Sequence, residues 1–289
     1  MPSNKPSVLV TGASGFIGSY VVRHLAAAGF EVTALDLREP VTLHPERVRE
    51  IRCDLRDGAL PEGGFDTIIH LAALGGVRPS MERPSDYLAT NVAGTVRLLE
   101  WARQREVKRV IFASSSSVYG ATDGTPSAED DPLSPCSPYA LTKVQGEQWG
   151  ELYARKYGID FLALRLFAVW GDGQRPDLAL ESFRRKILAR ETITIHGDGS
   201  QRRDLTHVSD VARAVEKSIA WTGHGFEVFN IGTGTNHSVN DMLRAAEAWA
   251  GMTTEVKYGP AHPADVPTTL ADVRKAREVL GWKAEVRFA

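Results

Sequence analysis

The sequence predicts an α/β fold: a Rossmann-type doubly wound parallel sheet followed by a smaller, loop-rich C-terminal substrate domain. Three observations predict it. Through the first half, short β-branched apolar runs alternate with helical stretches, the pattern of βαβ units. Those runs are apolar nearly throughout, as strands covered on both faces require. After Phe167 the rhythm breaks into Gly/Pro-rich loops, which suit a lobe that closes over a ligand. These are Gly171-Asp172-Gly173, Arg175-Pro176-Asp177, Gly197-Asp198-Gly199 and Gly232-Thr233-Gly234.

Strands are expected at Ser7–Gly12, Glu31–Asp36, Val48–Asp54, Thr67–Ala73, Val110–Ser115 and Phe161–Phe167, with helices near Phe16–Ala28, Tyr87–Arg105 and Pro138–Tyr157. Val228–Gly232 again reads as a buried strand, so the chain is expected to re-enter the main sheet once. The expected division is a dinucleotide-binding domain over residues 1–167, with 204–233 returning to it, and a substrate domain from 168–203 and 234–289.

The 289 residues suit one large domain with a smaller companion. Hydrophobic residues at 43% and charged residues at 24% are ordinary for a globular chain. A net charge of -2 gives no pull toward nucleic acid or a membrane surface, so neither is expected as a partner. No apolar stretch approaches the ~20 residues that span a bilayer. The opening residues Met1-Pro2-Ser3-Asn4-Lys5-Pro6 lack the apolar core of a signal peptide. Cys53 and Cys136 form no CxxC pair, so neither a disulfide framework nor a metal site is expected. A cytoplasmic setting follows.

Thr11-Gly12-Ala13-Ser14-Gly15-Phe16-Ile17-Gly18 lies between the first strand and the first helix. Gly12 permits the tight turn, Gly15 lets backbone N–H groups approach a pyrophosphate, and Gly18 lets the helix pack closely on the sheet. The helix N-terminus favours the phosphates. Asp36, ending the second strand, can accept hydrogen bonds from both hydroxyls of an adenosine ribose. A 2′-phosphate would meet like charge there, which favours NAD over NADP, although Arg38 stands close enough to receive such a phosphate. Asp54, after the third strand, either flanks the adenine or caps the strand end. His70 reads as a hydrogen-bonded core residue, and Leu71-Ala72-Ala73 after it are small enough for a ligand to pass.

Tyr139 and Lys143 are one helical turn apart and leave the same face of the helix. A phenol near pKa 10 is a poor base at neutral pH. Lowering it by ~3 units takes ~4 kcal/mol, which a nearby ammonium and an oxidised nicotinamide can supply in a partly dry site. Ser114-Ser115-Ser116-Ser117-Val118-Tyr119-Gly120 closes the fifth strand at the carboxyl edge, where ligands bind in such sheets. A serine there can hydrogen-bond both a sugar hydroxyl and the tyrosine oxygen.

Together these residues resemble the extended short-chain dehydrogenase/reductases, in particular the nucleotide-sugar epimerase/dehydratase group. The resemblance runs from Val8 to about Trp282. It rests on Thr11–Gly18, Asp36, Asp54-Leu55, His70–Ala73, Asn91–Thr95, Ser114–Gly120, Tyr139/Lys143, Gly197–Asp210 and Asn230–Gly232. It implies that Ser115, Tyr139 and Lys143 are the catalytic triad. It also implies that Gly12, Ser14, Gly15, Phe16, Ile17, Gly18, Asp36, Leu37, Asp54, Leu55, Leu71, Ala72, Ala73, Asn91 and Phe167 join Tyr139 and Lys143 in holding NAD. A nucleotide-diphosphate sugar would be met by Ser115, Ser116, Ala168, Arg175, Arg203 and Asp265, with Arg203 on the diphosphate and Arg202 as its alternate. The resemblance further implies a homodimer through a four-helix bundle built from the helices near Tyr87–Arg105 and Pro138–Tyr157.

Similar dehydratases carry an Asp-Glu pair directly after the catalytic serine or threonine, because removing water across C5 and C6 needs an acid and a base there. Uronate decarboxylases place a glutamate at the second of these positions. Here they are Ser116 and Ser117, whose hydroxyls cannot do a carboxylate's work near neutral pH. The expected reaction is therefore C4 epimerisation of a UDP-linked hexuronate or hexose. A dehydratase, ketoreductase or decarboxylase of the same family, or an NAD-sensing regulator, remains open at this stage. Arg175 matches the position where uronate epimerases meet the substrate carboxylate. Two departures stand out: Ala168 replaces a hydroxyl- or amide-bearing residue, and His262-Pro263-Ala264-Asp265 replaces an arginine-x-glycine-aspartate segment.

Overall fold

The apolar runs of the first half become consecutive parallel strands, each followed by a crossover that returns to the same sheet edge. The computed structural model describes residues 6–38, 48–261 and 265–288. The main sheet begins with β1 (Ser7–Thr11), β2 (Glu31–Asp36), β3 (Val48–Arg52), β4 (Thr67–His70), β5 (Arg109–Ser115) and β6 (Asp160–Leu166). Short strands β7 (Val169–Trp170), β8 (Ile193–His196), β9 (Arg202–Asp204) and β10 (Thr206–His207) follow outside it. The chain then re-enters the sheet as β11 (Phe226–Ile231), as expected, and leaves through β12 (Asn236–Ser238) and β13 (Val256–Gly259). Among the described residues the main sheet has seven strands in the order β11-β6-β5-β4-β1-β2-β3, and all of its pairings are parallel. The strand order reverses between β1 and β4, which opens a crevice at their carboxyl ends.

The helices are α1 (Phe16–Ala27), α2 (Val77–Glu82), α3 (Pro84–Tyr87), α4 (Gly94–Gln104), α5 (Pro138–Tyr157), α6 (Ala179–Ala189), α7 (Val208–Ile219), α8 (Val239–Ala250) and α9 (Arg274–Glu278). Val21, Leu25, Val211 and Val215 from α1 and α7 cover one face of the sheet, against Val8, Val10 and Ile69. Leu98, Leu99 and Tyr153 from α4 and α5 cover the other, against Leu9, Ile68, Phe112 and Phe161. Alpha carbons of α5 come close to the sheet because a Cβ at Gly146 or Gly150 would overlap the Phe112 or Phe161 ring. A separate core of Phe183, Ile187, Ile193, Leu205, Met242 and Leu243 holds α6, α8 and β8 together as the second lobe. The segment near the C-terminus, grouped by sequence with that lobe, instead sends Ala276, Leu280 and Trp282 into the core of the main sheet. Among the described residues no helix is long and apolar enough to cross a membrane.

Two expectations change in detail. Val48–Asp54 was expected to be covered on both faces, but β3 is the outermost strand and exposes Arg49 and Arg52. Charges on an edge strand discourage pairing with another chain. The single helix expected over Tyr87–Arg105 is interrupted: residues Leu88–Ala93 form a π-helical turn between α3 and α4. Such turns frequently mark functional sites, and this one carries Asn91.

Candidate active site

The glycine loop has the shape a dinucleotide requires. Gly12 adopts φ +71, and a Cβ there would lie 2.6 Å from the Ala72 nitrogen, so only glycine lets the β1–α1 turn lie against the end of β4. A Cβ at Gly18 would overlap the Gly12 carbonyl oxygen. Phe16 and Ile17 open α1 directly behind this turn, and Ile17 packs against the main core. The Asp36 carboxylate at the end of β2 accepts the backbone N–H groups of Ser14 and Arg38, each at 2.9 Å. It thereby ties β2 to the loop. The Arg38 guanidinium lies 3.4 Å from the same carboxylate. Leu37 beside them is exposed and Leu55 buried.

Other residues expected at the cofactor sit in more specific surroundings. Asp54 is forked by Arg56, with Nη2 at 2.6 Å and Nε at 3.0 Å, and that guanidinium holds its carboxyl below the usual range. A local turn pair is therefore what the structure shows for Asp54. Asn91 spends its amide on the protein, with Oδ1 accepting from Leu74 N at 2.7 Å and Nδ2 donating to the Leu74 carbonyl and Thr142 hydroxyl. It links Leu74, which follows Leu71, Ala72 and Ala73, to Thr142 of α5. His70 is hydrogen-bonded on both ring nitrogens, to Thr11 and Thr95, each at 2.8 Å. Burial first, and then the Lys143 charge, push its pKa down to about 3, so it stays neutral, as a core residue should. The Phe167 side chain is fully buried with Val118, Tyr119 and Ala271, leaving only its backbone available to a ligand.

Helix α5 starts where its sequence says it should. Ser137 caps it by accepting the Ala140 N–H at 3.1 Å, and Pro138 takes the first turn, where its missing N–H costs nothing. Tyr139 therefore sits in the first turn and Lys143 one turn deeper. Ser115 ends β5 and starts a 3-10 turn over Ser116–Tyr119; its Oγ accepts from the Ser117 hydroxyl at 2.9 Å. Burial raises the Tyr139 phenol above its ordinary pKa, while a hydrogen bond with Ser115 and the positive charge of Arg175 pull it back. Lys143 Nζ lies 5.8 Å from the Tyr139 ring centroid and donates to the Ala113 carbonyl at 2.7 Å. Burial lowers its pKa to about 8, opposed by Glu147 one turn further along α5. The ammonium is thus still mainly protonated at neutral pH.

Arg175 is the substrate candidate that the structure draws to this cluster. Its Nε and Nη2 donate to Asp177 at 2.9 and 2.7 Å, and its Nη1 fills the place a side chain at Gly75 would take. Tyr87, whose hydroxyl donates to the Gly75 carbonyl at 2.9 Å, also stacks edge-on against Tyr139. Ser116 is half-buried beside Ser115, and Ala168 lies at the edge of the second core with its carbonyl accepting from Thr206. Arg78, which local sequence patterns did not single out, forms an ion pair with Asp265 at 2.8 Å; burial lowers the pKa of Arg203, and the charge of Asp265 opposes that shift. His262 lies outside the described residues. Two further residues were missed. Glu147 and Arg165 are paired in the interior at 2.8 Å, and the signal was present: Arg165 is a charge inside an otherwise apolar strand, which demands a buried counter-ion.

The glycine loop, the Asp36 carboxylate and the serine–tyrosine–lysine cluster gather at one sheet edge. The chain matches the NAD dependent epimerase/dehydratase family over residues 8–232. It belongs to that family. A UDP-glucuronate 4-epimerase of Thermodesulfobacterium geofontis is 36% identical over 96% of this chain and 91% of its own length. A UDP-glucose 4-epimerase of Mycolicibacterium smegmatis is also 36% identical, covering 97% of this chain and 94% of its own. Among solved structures, MoeE5 in complex with UDP-glucuronic acid and NAD superposes with a TM-score of 0.92 at 43% identity, over 97% of this chain and 94% of that one. The family is NAD-dependent, and the glycine loop and Asp36 fit that cofactor.

Two predictions follow from this geometry. Tyr139→Phe should abolish turnover while NAD binding persists, since only the proton-carrying oxygen is lost; activity within tenfold of wild type would show that the base lies elsewhere. NAD should bind at least tenfold more tightly than NADP by calorimetry, and equal affinities would make Arg38 a phosphate receptor.

Proposed function

We propose that this protein is an NAD-dependent nucleotide-sugar 4-epimerase acting on a UDP-linked hexuronate, UDP-glucuronate first, with UDP-glucose as the neutral alternative. The observation that carries the reading is the convergence of Ser115, Tyr139 and Arg175, with hydroxyls and no carboxylates at positions 116 and 117. The names of relatives aligned over nearly the whole chain support it.

Tyr139 takes the proton of the C4 hydroxyl, with Ser115 holding both oxygens in line. The glycine loop and Asp36 would hold NAD, which would supply reversible hydride-acceptor chemistry with no net oxidation. The sugar turns about its diphosphate link between the two halves, and Tyr139 then restores the proton to O4. Lys143 and Arg175 place positive charge around the phenol. The second lobe, from 168–203 and part of 234–289, carries the nucleotide, with Arg203 on the diphosphate. Free cysteines at 53 and 136 support a reducing, cytoplasmic setting. Leu88, before α4, and Leu141 and Trp149 on α5 are exposed, which supports a four-helix dimer interface.

Charge-assisted hydrogen bonds are worth roughly 1.5–3 kcal/mol each, and a guanidinium can match a carboxylate with two. Arg175→Ala should therefore cut kcat/KM for UDP-glucuronate at least tenfold, and for UDP-glucose much less, through the phenol alone. Preference of the wild type for UDP-glucose, or equal losses on both substrates, would contradict the carboxylate reading. Sedimentation should give a dimer, and Trp149→Glu should shift it toward monomer; a monomeric wild type would remove the four-helix interface.

A further inference from the structure

Lys143 is a buried ammonium on a flexible stem, and among the described residues its one hydrogen-bond acceptor is the Ala113 carbonyl at 2.7 Å. Its place beside the Tyr139 ring, 5.8 Å from the centroid, therefore depends on where that carbonyl stands. Ala113 is next to Ser114 on β5, and the Ser114 hydroxyl donates to Glu147 Oε1 at 2.5 Å. Glu147 lies one turn beyond Lys143 on α5. Two adjacent residues of the strand are thus tied to two residues of the helix one turn apart, which sets both the distance and the register between β5 and α5. A single contact would leave the helix free to slide or turn about it. The second contact has a firm anchor. Arg165 forks Glu147 from β6, with Nη2 to Oε2 at 2.8 Å and Nε to Oε1 at 3.0 Å, and the two side chains are 4% and 5% exposed. Arg165 is held in turn by the Tyr119 hydroxyl and the Glu129 carbonyl, each at 2.9 Å. Apolar residues of similar volume often fill such a space with no loss of stability. What they cannot supply is a directed acceptor for Ser114.

We propose that Glu147 is a positioning residue for the reaction: through Ser114 it sets the end of β5 against α5, and so places Lys143 beside the Tyr139 phenol. Its part in turnover rests on the 4-epimerase reading above, whereas its hold on Lys143 does not. A positioned group that moves by about 1 Å can cost on the order of a hundredfold in rate. A carboxylate buried behind the lysine can therefore govern kcat.

The test compares wild type, Ser114→Ala, the paired substitution of Glu147→Leu with Arg165→Met, and the triple variant. The paired substitution removes both charges, so neither is stranded in the interior. Two quantities are measured. One is steady-state turnover of UDP-glucuronate and UDP-glucose. The other is the rate at which acetic anhydride acetylates Lys143, followed by peptide mass spectrometry with the exposed Lys217 as internal standard. Ser114→Ala and the paired substitution should each lower kcat about tenfold or more, with KM within about twofold and the bound NAD content unchanged. Lys143 should acetylate at least about fivefold faster in both, relative to Lys217. The triple variant should be no worse than the worse of its parents on either measure, since Ser114 and Glu147 act through one contact. An unchanged kcat or an unchanged Lys143 rate in Ser114→Ala overturns the proposal, and that variant decides alone if the paired substitution does not fold. Losses that multiply in the triple variant overturn it as well, because the two residues then act separately. If wild type turns over neither sugar, the epimerase reading falls, while the acetylation series still decides for or against the hold of Glu147 on Lys143.

Discussion

Glu147 and Arg165 face each other between α5 and the carboxyl end of β6, both almost wholly removed from water, with Nη2 to Oε2 at 2.8 Å and Nε to Oε1 at 3.0 Å. Further hydrogen bonds surround the pair. Ser114 donates to Glu147 at 2.5 Å, and Arg165 Nη1 donates to the Tyr119 hydroxyl and the Glu129 carbonyl. Tyr119 in turn donates to Asn230 on β11, whose amide donates to the Ser127 carbonyl. A buried ion pair contributes little net stability, but losing one partner typically costs about 3–5 kcal/mol because the other charge is stranded. What it gives here is position. It fixes α5, which carries Tyr139 and Lys143, against the strand end that carries Ser115, and it ties both to the returning strand β11.

The glycine contacts solve the complementary problem of close approach. A helix that must bring a lysine ammonium to the Ala113 carbonyl cannot stand a full side chain away from the sheet. Gly146 and Gly150 remove that distance where α5 crosses Phe112 and Phe161. Gly12 and Gly18 do the same for α1 at the neighbouring switch point. Position is thus set by two opposite devices, missing side chains at the helix–sheet contacts and a hydrogen-bonded charge pair in between.

Much of this was legible in the sequence because it is local. The glycine spacing, the Ser137-Pro138 helix start and the one-turn separation of Tyr139 and Lys143 are encoded within a few residues of each other, and the structure realises each of them. The edge character of β3 was less legible: apolar Val48 and Ile51 suggested burial, while the order of strands in the sheet decides which one is outermost. Contacts across long separations were illegible to pattern reading. Arg78 meets Asp265 over 187 residues and Arg97 meets Leu55 over 42, so no periodicity or motif reports them. Asn91 shows a third case, in which the residue type was noticed but its use was not, since only the fold shows its amide spent on Leu74.

The arginines of the cleft share an arrangement with a functional consequence. Arg175 is forked by Asp177, and Arg78 is paired with Asp265, so in each case a carboxylate from the protein holds a partly exposed cation. Each pairing fixes a long side chain before the ligand arrives, which lowers the entropy cost of binding. Each also makes an incoming anion compete with a resident one, which lowers net affinity. On the proposed reaction, where substrate and product would differ at a single stereocentre, such a compromise would let both bind and both leave. The phenol follows the same logic. Burial holds Tyr139 above its ordinary pKa, with Ser115 and Arg175 as partial offsets, so its basicity is incomplete until further positive charge is brought beside it. On the proposed mechanism, proton abstraction by Tyr139 would then depend on the positive charge that an oxidised cofactor brings.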